Sequence, residues 1–302
     1  MDNLLLGEQV LCLSLVDGTL AFLCGLLLAG FWARRSREAA DGVTSASIFR
    51  PSLHWPALIL PFALCAGFWL LTVAMTGRSS PGAIVQSMPD VAATHAGRVT
   101  LSMLSLSVLL VAASLIRLRS IAVAQNRVAA ALIAAILIFH AALGHAAGNG
   151  DFTRAELLQF LHLVAMALWT GGVFVSATLA LPFLSNASAS AYTSWLRQLS
   201  RTSVWSASTA FLTGALKGWT AIGAQLGNLG QPGWSRILVA KLSFVCIALG
   251  VGLLHRRQVH DRSRQWNALE RKWFIRTLRV EAFCLAVVIL LSAWLSSVDP
   301  PE

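Results

Sequence analysis

The sequence predicts an all-α membrane protein, a polytopic bundle of eight transmembrane helices with both termini on the outer side. Three observations lead there. The 302 residues are 56% hydrophobic and 12% charged, with a mean hydropathy of +0.69, which is too apolar for a water-soluble domain of this size. The apolar residues form runs near the ~20 residues that cross a hydrocarbon core. The basic residues, whose excess gives a net charge of +10, gather in every second connection. Helix is preferred to barrel because the runs are continuously apolar, whereas a membrane strand alternates polarity over about ten residues. In a soluble protein such basicity would suggest nucleic acid; here it marks cytoplasmic loops, and the expected surroundings are lipid, with no nucleic-acid partner.

Taken in order, the first run, Leu4–Trp32, is too long for a signal-peptide core and lacks a small-residue cleavage site before Arg34 and Arg35, so it should stay as a span. Leu53–Met75 follows Arg34, Arg35, Arg37 and Arg50, and Val91–Leu118 follows Arg78 alone. Val128–His145 comes after Arg117, Arg119 and Arg127, and Leu157–Leu184 after Arg154. Val204–Ile222 is preceded by Arg197 and Arg201, and Ile237–His255 by Arg236. The eighth run, Val280–Val298, follows Arg256, Arg257, Arg262, Arg264, Arg271, Lys272, Arg276 and Arg279. Because basic residues resist translocation, the richer connections are cytoplasmic, which requires an even number of spans and places both ends outside. The stretch from Arg256 to Arg279, with Trp266, Leu269, Trp273 and Ile275 among its charges, reads as an interfacial amphipathic helix on anionic headgroups. No repeat or linker divides the chain, so residues 1–302 form one transmembrane domain. Cys12, Cys24, Cys65, Cys246 and Cys284 lie in apolar runs without a CxxC pair and read as small buried hydrophobes.

Ionisable groups inside spans are expensive and are functional candidates by default. With this topology Glu8, His95, Arg98, His145, His162, Lys217 and Lys241 all fall toward the outer ends of their spans. Met166 shares a helix face with His162, and Met88 lies in the outer connection near His95. A lone histidine at a span end is more often an interfacial hydrogen-bonding group, but three on separate spans at matching depth suggest ligation. Imidazole suits copper, zinc, iron and nickel; thioether favours Cu(I), and carboxylate favours Cu(II). Copper is therefore the expected ion, with His95, His145, His162, Met166 and Glu8 as its candidate ligands. Arg98, Lys217 and Lys241 would pair with Glu8 or Asp90, cap carbonyls or stand back from the metal. His140 reads as a buried hydrogen-bonded histidine or a partner behind a ligand. His54, His255 and His260 read as interfacial residues, and Glu281 as snorkelling toward arginines. Asp17, past the middle of the first span, is either a relay or inner metal contact, with Cys24 on the same face, or a hydrogen-bonded structural aspartate.

The segment GHAAGNGDFTRAELLQFLHLVAMALWTGGVF at 144–174 resembles the GHAA and HLxAxxxWxGG pattern of the CopD family of copper-resistance membrane proteins. His145, His162, Trp169, Gly171 and Gly172 fall on its fixed positions. THAGRV at 94–99, SRTSVWSASTAFLTGALKGW and WSRILVAKLSFVCIALGVGLLHRR extend the similarity over most of the chain from the third span onward. The resemblance implies an eight-span bacterial inner-membrane protein that receives copper from a periplasmic CopC-type carrier and moves it into the cytoplasm, and it supports His95, His145 and His162 as the outer site. The chain departs from the pattern in ending its seventh span in LLHRR, where relatives often have Asn-Arg, and in having no soluble copper-carrier domain. The expected sequence of events is capture by ligand exchange, then helix rearrangement, with Gly171 and Gly172 permitting close helix approach or a bend beside Trp169. No Walker or phosphorylated-aspartate motif is present, so copper would move down its gradient or with ions, and no enzyme active site is expected. Two other readings stand beside this one: a haem-b electron-transfer protein or metalloreductase using histidines as axial ligands, and an accessory that delivers copper without transporting it.

Overall fold

A computed structural model describes residues 3–37, 53–115, 122–143, 153–222, 232–260 and 266–298, and within them the chain is all-helical. The helices are α1 (Asn3–Arg37), α2 (His54–Thr76), α3 (Pro81–Ala93), α4 (His95–Leu115), α5 (Ala122–Ala141), α6 (Arg154–Val175), α7 (Leu181–Leu184), α8 (Ala189–Ile222), α9 (Pro232–His260) and α10 (Ala268–Ser297). A five-residue π-helical turn, Ser176–Ala180, joins α6 to α7. Among the described residues seven helical stretches are long and apolar enough to cross a membrane, the architecture of a multi-pass membrane protein. The seven do not include α8, whose length of 34 residues suffices but whose sequence mixes Arg197, Arg201 and Lys217 with many serines and threonines.

Cross-contacts fix the directions of the helices. The end of α1 meets the start of α8 through the edge-on rings of Trp32 and Trp195, while the start of α2 meets the end of α4 through His54 Nδ1 and Ser114 Oγ at 3.1 Å. The start of α6 meets the end of α8, and the end of α9 meets the start of α10. One end of the bundle therefore gathers the starts of α1, α4 and α6 with the ends of α5 and α8. The opposite end carries most of the arginines and is called the arginine-rich end below.

At the centre, α1 lies against α6 with backbones nearly touching. A Cβ on Gly25 would stand 2.1 Å from the Gly171 carbonyl oxygen, and one on Gly171 would stand 1.8 Å from that of Ala21. Side chains smaller than any L-residue's are thus required, as in other tightly packed membrane helices, and of the two expected roles of the Gly171–Gly172 pair the close approach is the one found. Trp169 is buried beside it.

Three local features differ from the sequence reading. The run expected as Val91–Leu118 is broken at Thr94, whose backbone is extended (φ −71°, ψ 162°). Thr94 Oγ1 accepts from the Gly97 N–H at 3.1 Å, the usual satisfaction of an orphan donor at a helix start, and the corner is so tight that a Cβ on Gly97 would overlap the Val91 carbonyl oxygen. Met88 and Asp90 accordingly sit on helix α3 and not in a loop. In the fifth run Pro182 lacks the N–H that a regular α-helix would use, and the π turn just before it takes up the misfit. The expected interfacial helix over 256–279 is absent from the described part: α9 continues to His260, and α10 already begins at Ala268, opened by a capping box of Asn267 and Glu270. Its first turns are drawn inward because Arg271 donates to the carbonyls of Ser185 and Ala187, each at 2.9 Å, and lies over the Tyr192 ring at 4.7 Å. A buried guanidinium that completes carbonyls left over at a helix end holds this segment to the bundle.

Candidate functional site

The end where α1 begins contains a polar layer inside the apolar bundle. On α1, Asp17 falls about ten residues further in than Glu8, so its carboxylate sits at a depth where water is scarce and a partner is needed. That partner is His140 in the last turn of α5: Nε2 stands 2.7 Å from Asp17 Oδ1. The His140 side chain is 8% exposed and that of Asp17 22%. The other ring nitrogen, His140 Nδ1, is buried and has no hydrogen-bond partner among the described residues. With Nε2–H donating to the carboxylate, Nδ1 carries a lone pair. The carboxylate thus fixes the tautomer and orientation of the ring and leaves the Nδ1 lone pair available as a donor atom.

Two expected ligands show the same anchoring by an acceptor. His162 Nδ1 lies 3.1 Å from the Ala210 carbonyl and 3.0 Å from Thr213 Oγ1 on α8. His95 Nε2 lies 3.3 Å from the Ala142 carbonyl, two residues beyond His140. Around them Lys217 donates to Gln159 Oε1. Lys241 lies within electrostatic range of Asp17, and both ammonium groups lie within range of His162. The charges divide the layer. A cation at His140 would face the Asp17 carboxylate, whose charge Lys241 partly offsets, whereas one at His162 would face both lysines.

The remaining candidates are more dispersed. Glu8 is exposed on α1, and Met166 is half-buried against the core. His145 lies outside the described residues. Among the described residues no group of three or more His, Cys, Asp or Glu side chains converges. Of the two sequence readings of His140, a buried hydrogen-bonded histidine or a partner behind a ligand, the structure shows the first; its union with Asp17 is a contact between residues 123 apart in the chain.

At the arginine-rich end a second imidazole–carboxylate pair appears where two interfacial side chains were expected. His255 and Glu281 are both buried, at 7% and 2% exposure, and their Nδ1 and Oε2 atoms are 3.1 Å apart. Glu281 points into the bundle because His255 on α9 meets it there, a closer partner than any arginine beyond the helix ends.

The family model for copper resistance protein D matches residues 193–295, and that for the N-terminal domain of copper resistance protein D-like proteins matches residues 7–155. The curated proteins yield no match, and neither do the solved structures.

Proposed function

We propose, since the chain belongs to the CopD family of copper resistance proteins, that it carries copper across the bacterial inner membrane from the periplasm inward. In this reading α8 is an eighth span, both termini are periplasmic, and the polar layer faces the periplasm. The observation that carries it is the Asp17–His140 pair with its unsatisfied Nδ1. Copper is cargo here, with the protein acting as a transporter and not as an enzyme.

A periplasmic carrier of the CopC type would present copper at the layer, and His140 would take it by exchange of one imidazole for another. Asp17 holds the accepting ring in one tautomer and offsets the arriving positive charge. His95, His162 and His145 supply the further imidazoles through which the ion is passed. Release inward requires helices to shift past one another, and the bare-backbone contact of Gly25 with Gly171 gives α1 and α6 a smooth surface on which to do so.

The test is copper uptake into proteoliposomes by wild type, His140→Ala and His162→Ala. The expected result is uptake by wild type, its loss in His140→Ala and its reduction in His162→Ala. Unchanged uptake in His140→Ala overturns the site. Stoichiometric copper binding without uptake by wild type favours delivery over transport, and a Soret band in the purified protein turns the assignment to haem.

A further inference from the structure

The His255–Glu281 pair lines a cavity of about 400 Å³ bounded by α6, α8, α9 and α10. Its walls are mainly apolar, including Trp169, Leu199 and Phe211, with Ser200, Ser203 and Arg256 among its polar members. Capture at the outer layer does not use this pair. Its hydrogen bonds determine how many protons it holds. Thr277 Oγ1 donates its one hydrogen to the carbonyls of Phe274 or Trp273, at 3.0 and 3.2 Å. Its lone pair therefore accepts from His255 Nε2–H at 2.8 Å. Phe274 packs on the imidazole with ring centroids 4.4 Å apart and holds the ring in place. With Nε2–H committed, the contact between Nδ1 and Oε2 needs one proton, on the nitrogen or on the carboxyl oxygen. Remove it and a lone pair faces a carboxylate inside a low-dielectric wall, a costly arrangement that another cation must relieve.

We propose that His255 and Glu281 form a proton-binding site that exchanges one proton with water at the arginine-rich side through this cavity. The exchange is balanced: the proton shared by Nδ1 and Oε2 passes to water in the cavity, leaving a neutral imidazole beside a carboxylate, and returns by the reverse step. Two features suit the pair to exchange. Gly252 presents bare backbone to the carboxylate, and a Cβ there would stand in van der Waals contact with it, 3.4 Å from Glu281 Oε1, so a larger side chain would crowd the pair. Arg256 lines the same cavity and brings a positive charge to it. The cavity residues from α6 and α8 bring no ionisable side chain. Along α10 itself, Cys284 is close enough to feel the Glu281 charge. From α1, which also packs on α10, the inner half offers Cys24 and Arg34, and Arg34 is engaged by Asn126 of α5. Coupling of this proton to copper movement rests on the transport reading above; the proton site itself does not.

The test is infrared difference spectroscopy of the protein in liposomes, stepped between acidic and alkaline buffer. Wild type should show a carboxyl and imidazole signal that follows the buffer, and Glu281→Gln should remove the carboxyl part. Gly252→Leu, which leaves both groups in place but fills the space beside them, should slow the signal at least tenfold. Thr277→Val, which frees Nε2–H, should move its midpoint. A wild-type spectrum without a Glu281 or His255 contribution overturns the proposal, as does an equally fast signal in Gly252→Leu. A pH-sensitive dye inside the same liposomes tests the coupling: copper-linked proton movement in wild type should vanish in Glu281→Gln. If wild type takes up no copper while the infrared signal persists, transport is what fails and the proton site stands.

Discussion

The two imidazole–carboxylate pairs use the same chemistry at opposite ends of the bundle and finish it differently. Asp17 and His140 leave one ring nitrogen without a partner among the described residues, and the acidic side chain is partly open, with side-chain exposure of 22% against 3% for Glu281. His255 is engaged at both nitrogens, by Glu281 and by Thr277. A buried polar atom that lacks a partner costs about 1–3 kcal/mol, so the first pair gains from an arriving ion, whereas the second is already complete with one proton. What separates the two histidines is thus the hydrogen-bond count of the ring and not the residue types around it, and the roles proposed above for metal and for proton rest on that difference.

The sharpest way to break this comparison is His140→Ala, which should lower copper affinity at least about 100-fold, read by titration of the reconstituted protein, while leaving the inner infrared signal intact. Asp17→Asn keeps the shape but removes the orienting charge; the expected loss is about 10–100-fold, the range for groups that orient a ligand. Gly25→Ala forces α1 off α6 by driving a methyl into the Gly171 carbonyl. It should cost about 1–3 kcal/mol in thermal stability and weaken copper binding about tenfold, because α1 carries Asp17. Arg271→Ala should cost about 2–3 kcal/mol by leaving the Ser185 and Ala187 carbonyls without donors, with copper affinity unchanged. Glu281→Gln should leave copper affinity within about twofold of wild type, since the two pairs belong to different ends.

Much of the architecture was legible because lipid permits few solutions: continuous apolar runs must be helices, and the seven qualifying helices lie where those runs lie. The misreadings concern short-range geometry. A hydropathy window runs straight through Thr94, yet one hydroxyl and one glycine turn the chain there. Arg271 looked like one more loop cation because nothing in its neighbours announces the carbonyls of Ser185 and Ala187, more than 80 residues earlier. The polar layer was visible as a set of ionisable residues at matching depth, and His95 and His162 do stand in it. Its central pair was not, since Asp17 and His140 meet across helices, as do Glu281 and His255, and hydropathy treats each as an isolated cost.

The most direct measurement is copper K-edge X-ray absorption on the loaded protein in lipid, comparing wild type with His140→Ala and His255→Ala. The account predicts imidazole nitrogen around copper in wild type and His255→Ala, and loss of bound copper in His140→Ala. An unchanged imidazole signature in His140→Ala, or its loss only in His255→Ala, would contradict it.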